Sequence, residues 1–118
     1  MQSNWFNSRQ RESGNRYKVT AIMQADGSAY HNDIIRNLKI ELSHKWGGFS
    51  SNATQGGWVD DTGKLMEEDN ITFNVSFTDI EDIDKARGVF TVAGLLLSQD
   101  WIHIECSQFD AGHTKAIS

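Results

Sequence analysis

From Tyr17 to Met23 the chain alternates. Tyr17, Val19 and Ala21 point one way and Lys18, Thr20 and Ile22 the other, which predicts a strand with one buried face. Ala25-Asp26-Gly27-Ser28 breaks it. The spacing then changes to three and four: Ile34, Ile35, Leu38, Leu42 and Trp46 predict a helix over 30–46. Ser28 is its expected N-cap, and Gly47-Gly48 its stop. Phe49 to Asp60 has weaker patterning, with Phe49, Trp58 and Val59 as strand candidates. Gly56-Gly57 implies a bulge or a close backbone approach. Asp60-Asp61-Thr62-Gly63 reads as a turn. Beyond it Ile71, Phe73, Val75 and Phe77 alternate with Thr72, Asn74, Ser76 and Thr78, so residues 49–78 form one long predicted hairpin. Asp79 is the expected cap of a second helix over 80–98. Its buried stripe is Ile83, Ala86, Phe90, Ala93 and Leu97, and Val89, Val92, Leu95 and Leu96 add apolar surface beyond one face. Trp101 to Cys106 closes the pattern as a strand with bulky groups on both faces, Cys106 serving as a small core filler.

The element order is β-α-β-β-α-β. It predicts an α+β, ferredoxin-like sandwich: a four-stranded antiparallel sheet with both helices on one face, since crossovers are right-handed. The predicted division is a flexible N-terminal arm over 1–15, a domain over 16–109 and a small polar tail over 110–118. An uncovered sheet face and the surplus on the second helix call for a cover, and a homo-oligomer supplies it most simply.

With 118 residues there is room for one core. The 11 basic and 16 acidic side chains leave a net charge of -5, which argues against nucleic acid as the main partner. No apolar run is long enough to span a membrane, and residues 1–15 lack a signal peptide's apolar stretch, so a cytoplasmic protein is expected. The lone cysteine fits a reducing compartment and permits no intrachain disulfide. His31, His44, His103 and His113 show no metal-ligand spacing with Cys106, no phosphate-binding glycine loop is present, and neither metal nor cofactor is expected.

Candidate chemistry concentrates in the hairpin, in Trp46-Gly47-Gly48-Phe49-Ser50-Ser51, Gly56-Gly57-Trp58 and Glu67-Glu68-Asp69. Glycines admit a ligand close to the backbone, aromatic faces stack on a base or a cation, and three adjacent carboxylates favour a positive partner. Each feature also has an ordinary structural explanation: turns, a half-buried sheet residue, a solvated strand edge.

On Gly56-Gly57-Trp58, the pair Glu67-Glu68 about ten residues on, the strand from Ile71 and the Ala-containing helix over 86–97, the sequence resembles the small phage-encoded S-adenosylmethionine lyases, formerly called hydrolases. The opening strand and Ser107-Gln108 fit as well, so the resemblance spans roughly residues 17–113. It implies a PII-like oligomer, a trimer, with sites between subunits. It also implies metal-free cleavage of S-adenosylmethionine to methylthioadenosine and homoserine lactone, a phage anti-restriction activity in the host cytoplasm. The family's glutamate falls on Glu68, with Glu67 the near alternative, and its tyrosine falls on Trp58, a departure because indole has no hydroxyl. Phe49, Gly48, Ser50 and Gly57 complete the expected substrate contacts. Two other readings stand beside the lyase: a PII-like module that binds or sequesters a small adenosyl nucleotide without turnover, and a purely structural interaction domain.

Overall fold

The computed structural model of the chain describes residues 14–111. The predicted arm therefore lies outside the described residues except for its last two, and so does the tail beyond Ala111. Six elements follow one another: β1 (Gly14–Met23), α1 (Ala29–Trp46), β2 (Ser50–Val59), β3 (Leu65–Phe77), α2 (Asp82–Leu96) and β4 (His103–Ala111). The strands lie in the order β2-β3-β1-β4, every neighbouring pair antiparallel. This is the predicted ferredoxin-like fold.

The register explains why one face of the sheet becomes the core. Val19 lies opposite Val75 and Ala21 opposite Phe73, and opposed residues share a face. With Met23 and Phe77 they meet Ile34, Ile35, Leu38 and Leu42 of α1, and Ala86, Phe90 and Ala93 of α2, in one buried cluster. The Phe73 ring lies 6.2 Å from Phe90 and 6.4 Å from Phe49. Each helix thus buries the stripe its spacing marks out.

The ends of α1 are as expected. The Ser28 hydroxyl accepts from the His31 amide at 3.1 Å. Gly47 takes a left-handed φ of 78° and donates its amide to Ser43. Three expectations need correction. Asp79 does not cap α2: its carboxylate accepts from the Glu81 amide and closes a turn, and the helix begins only at Asp82. Trp101 is 90% exposed and precedes β4, which starts at His103. Cys106 is exposed rather than a core filler. It lies opposite Val19 on the helix side, but β4 is an edge strand and no helix packs closely over it.

Three close approaches involve glycine. The β2–β3 pairing runs one to one from Ser50↔Asn74 to Val59↔Leu65, so Gly56-Gly57 forms no bulge. Instead the Asn70 amide and the Met66 carbonyl stand 3.0 and 3.1 Å from where Cβ atoms on Gly56 and Gly57 would lie. On α2, a Cβ on Gly94 would stand 2.8 Å from Ile102 Cγ2. Overpacking against a stiff β-branched side chain costs about 1–3 kcal/mol, against a helix-propensity gain of roughly 1 kcal/mol. Gly94→Ala is therefore expected to destabilise the fold by about 1 kcal/mol, and to stabilise it once Ile102→Ala has removed the obstacle. Urea unfolding of the four variants measures this cycle, and a stabilising Gly94→Ala with Ile102 intact would contradict the packing.

The open face of the sheet is polar. Half-buried Lys18, Thr20, Thr72, Asn74 and Ser76 line it, and the Thr20 hydroxyl donates to Asn74 Oδ1 at 2.6 Å. This face meets water without penalty. Exposed apolar side chains gather at Val92, Leu95 and Leu96 on α2 and at the outer end of the hairpin, where Trp58 lies on the open face and Val59 and Leu65 on the other.

Candidate functional site

The hairpin sorts the predicted residues by face. Glu68 lies opposite Gly56 and Trp58 opposite Met66, so Glu68 and Trp58 share the open face as diagonal neighbours, within reach of a long side chain. Glu67 lies opposite Gly57 on the other face. Glu68 is half-buried, Glu67 exposed, and Trp58 half exposed.

Glu68 lines a cleft of about 380 Å³. The hairpin contributes Glu68 and Asp69, the turn after β1 contributes Asp26, the first turn of α1 contributes His31, and Leu97-Ser98-Gln99 after α2 complete it. Gln99 is tied in place by accepting the Gln24 amide at 2.9 Å. Ser98 sits at φ 60°, a left-handed conformation that costs a side-chain-bearing residue energy and that packing must hold. A neighbouring hollow shares Ala25 and Asp69 and extends along Ala53-Thr54-Gln55 of β2.

The charges here are anionic. The Ser28 hydroxyl and amide, with a smaller contribution from His31, hold the Asp26 carboxyl below the ordinary carboxylate range. His31 Nδ1 lies 3.0 Å from the Asp26 amide and 3.1 Å from its carboxylate. Nδ1 cannot accept from one and donate to the other at once. A neutral ring accepts from the amide through Nδ1, and a charged ring donates to the carboxylate instead. Three carboxylates in one cleft repel one another, and a cation relieves that repulsion. Among the described residues no three His, Cys, Asp or Glu side chains converge into a group that could hold a metal ion, and no helix is long and apolar enough to cross a membrane.

The remaining predicted residues lie elsewhere. Gly48, Phe49 and Ser50 line a second cleft, of about 470 Å³, at the start of β2 with Lys18, Trp46, Asn74 and Ser76. Ser50 and Gly57 are seven residues apart on one strand, roughly 23 Å. No small ligand spans that within one chain. The two groups can touch one molecule only across a joint between copies. Sequence reasoning missed Asp26, His31 and Gln99. The polar turn Asp26-Gly27-Ser28 was legible as a breaker with a helix cap, and only the fold shows that β1 and α2 end, and α1 begins, beside the hairpin.

The hairpin turn is itself pH-sensitive. The Thr62 hydroxyl, then the amides of Lys64, Thr62 and Gly63, hold the Asp60 carboxyl below the ordinary value of 3.8. A depressed native pKa adds stability that is present above 3.8 and lost as pH falls through the native value. The turn amides of Thr62 and Lys64 are therefore expected to stay protected from exchange at pH 5 and to open only below about 3.8. Opening already at pH 5 would contradict the Asp60 contacts.

No family model and no curated protein matches the sequence. Solved structures do match the fold. A phage SAM lyase in complex with S-methyl-5'-thioadenosine aligns with a TM-score of 0.56 and 14% identity over 84% of this chain and 90% of that one. The B. subtilis GlnK–ATP complex aligns at 0.55 and 11% identity, over 80% and 82% of the two chains. The divalent cation tolerance protein CutA1 from Thermus thermophilus aligns at 0.52 and 10% identity, over 78% and 82%. At these identities the likeness concerns the fold: a ferredoxin-like sheet and helices of the PII type.

Proposed function

We propose that this protein binds S-adenosylmethionine and cleaves it to methylthioadenosine and homoserine lactone. The observation that carries the reading is Glu68, half-buried on a cleft it shares with Asp26 and Asp69, with Trp58 at the diagonal position of the neighbouring strand. The fold shared with a phage SAM lyase solved with S-methyl-5'-thioadenosine supports it.

The chemistry asks little of the protein. The substrate's own carboxylate attacks its γ-carbon, the carbon–sulfur bond breaks, and a neutral thioether leaves. The attacking anion and the sulfonium cation cancel, the ammonium stays as it was, and no proton moves. What the site must supply is a folded conformer with nucleophile and carbon in line. Glu68 binds the ammonium and fixes that conformer. Trp58 offers its ring to the sulfonium or the adenine. Excluding water favours a step in which charge disappears. Glu67 is exposed and does not line the cleft, so it takes no part within one chain.

In this reading copies assemble, most simply as trimers, so that the Glu68 cleft lies at a joint between them. The activity would deplete the methyl donor in a phage host's cytoplasm and so disarm restriction. A second reading has its own support: Trp58 brings no hydroxyl where the lyase family carries a tyrosine, and GlnK has been solved with ATP. A PII-like module would hold an adenosyl compound without turnover, but three carboxylates disfavour a polyphosphate, which leaves a cationic adenosyl ligand for this reading too.

Incubation of the purified chain with S-adenosylmethionine, followed by chromatography, is expected to yield methylthioadenosine. Saturable binding without product would select the sensor, and neither binding nor product would refute both. Sedimentation tests the assembly, where a monomer at micromolar concentration would remove the joint.

A further inference from the structure

We infer that the cleft at the start of β2 is a separate site for a small anion carried on a flat ring, a carboxylate or a phosphate monoester. It arises because β3 outruns its partner. β2 begins at Ser50, opposite Asn74, while β3 continues through Val75, Ser76 and Phe77 with β1 alone beside it. The chain leaving α1 turns through Gly47-Gly48-Phe49 at this notch, and a hollow of about 470 Å³ remains.

The lining has the opposite sign to the Glu68 cleft. Lys18 is its one charged side chain and no carboxylate lines it. Lys18 is half-buried and has no carboxylate within ion-pair distance among the described residues, although the chain as a whole is acidic. The residue directly across from it on β3 is Ser76, a hydroxyl. Asn74 Oδ1 is taken by the Thr20 hydroxyl at 2.6 Å, which leaves the Asn74 NH2 as a donor. With the Ser50 and Ser76 hydroxyls, this makes one polar wall. The other wall is aromatic and fixed: Trp46 packs on Phe77 at 5.7 Å and Phe49 on Phe73 at 6.4 Å, both half-buried. Fixed rings lose little freedom when a ligand stacks on them. The carbonyl end of α1 opposes an anion, and Lys45 in its last turn offsets part of that field while also lying 3.9 Å from the Glu41 carboxylate.

The site stands independently of Glu68, which lies at the far end of the sheet. Two probes separate the possible head groups: adenosine monophosphate for the phosphate and benzoate for the carboxylate. Each is titrated into the full chain while NMR follows the Trp46 indole and the Gly47 and Gly48 amides. At least one probe is expected to shift these signals saturably with a Kd below about 1 mM. Lys18→Met should weaken it at least about tenfold, and Ser76→Asp, which sets a carboxylate opposite the lysine, should remove it. Glu68→Gln should leave it unchanged. Saturation by adenosine monophosphate alone assigns a phosphate, by benzoate alone a carboxylate. The inference fails if neither probe saturates by about 10 mM, or if folded Lys18→Met, judged by its melting curve, binds as the parent does.

Discussion

Glu68→Gln is expected to lower turnover of S-adenosylmethionine by at least about 100-fold while leaving the melting curve of the protein in place. Glutamine keeps the shape and the hydrogen-bonding reach of glutamate and removes its charge. Glu68 is only half-buried and makes no ion pair with a described residue, so the fold does not depend on that charge. The substrate's ammonium does depend on it, because losing that anchor frees the chain to leave the in-line conformer. Glu67→Gln is the matched control: adjacent in sequence, the same change, the other face of the hairpin. It should cost no more than a few-fold. Equal losses from both would mean that general acidity, rather than a placed carboxylate, drives the reaction. An intact rate in Glu68→Gln would remove Glu68 from the mechanism altogether.

The largest effect on stability is expected at Phe73. Its side chain is fully buried and its ring lies near Phe90 of α2 and Phe49 of the loop between α1 and β2, so it joins three parts of the molecule. Phe73→Ala removes those contacts and leaves a cavity that a close-packed core cannot fill, at a cost of about 3–5 kcal/mol. Small domains hold only some 5–15 kcal/mol in total, so the midpoint of urea unfolding should fall by a large fraction and the melting temperature by more than about 10 °C. Thr72→Ala, next in sequence and on the polar face, should cost no more than about 1 kcal/mol, since it gives up one exposed hydroxyl contact with Thr54. A Phe73→Ala loss below about 1 kcal/mol would mean the core lies elsewhere.

Much of this architecture was legible because periodicity reports burial. β1, α1 and the second half of β3 each bury one face or stripe, and Val19, Leu42 and Val75 are where the spacing puts them. Ser28 and Gly47 were readable because caps act through their immediate neighbours. What failed involved the edges. Trp101 and Cys106 look like core residues by type, yet one precedes the last strand and the other sits where no helix reaches. The first six residues of β3, Leu65 to Asn70, alternate only between exposed and half-buried, and their sequence Leu-Met-Glu-Glu-Asp-Asn shows no hydrophobic alternation to mark a face. The candidate site was legible only in fragments. Glu68 and Trp58 proved to be diagonal neighbours, whereas Gly48-Phe49-Ser50, close to them in the hairpin as a string of letters, stands a strand's length away. Asp26 and His31 gave no signal because their hydrogen bonds are those of a local turn and only the tertiary fold sets them beside Glu68 and Asp69.

The polar, partly glycine-bearing character of β2 has a consequence for handling the protein in concentrated solution. β2 is an outer strand with no charged side chain and no proline along its ten residues, and β4 bounds the sheet on the opposite side. Strands of that kind offer an unguarded ladder to a neighbouring molecule. A contact that joins one rim to the other either closes on itself after a few copies or runs on without limit, depending on the rotation between copies. Adding a lysine at Asn52 or Thr54, mid-strand and solvent-facing, would place a guard on the rim most open to runaway growth.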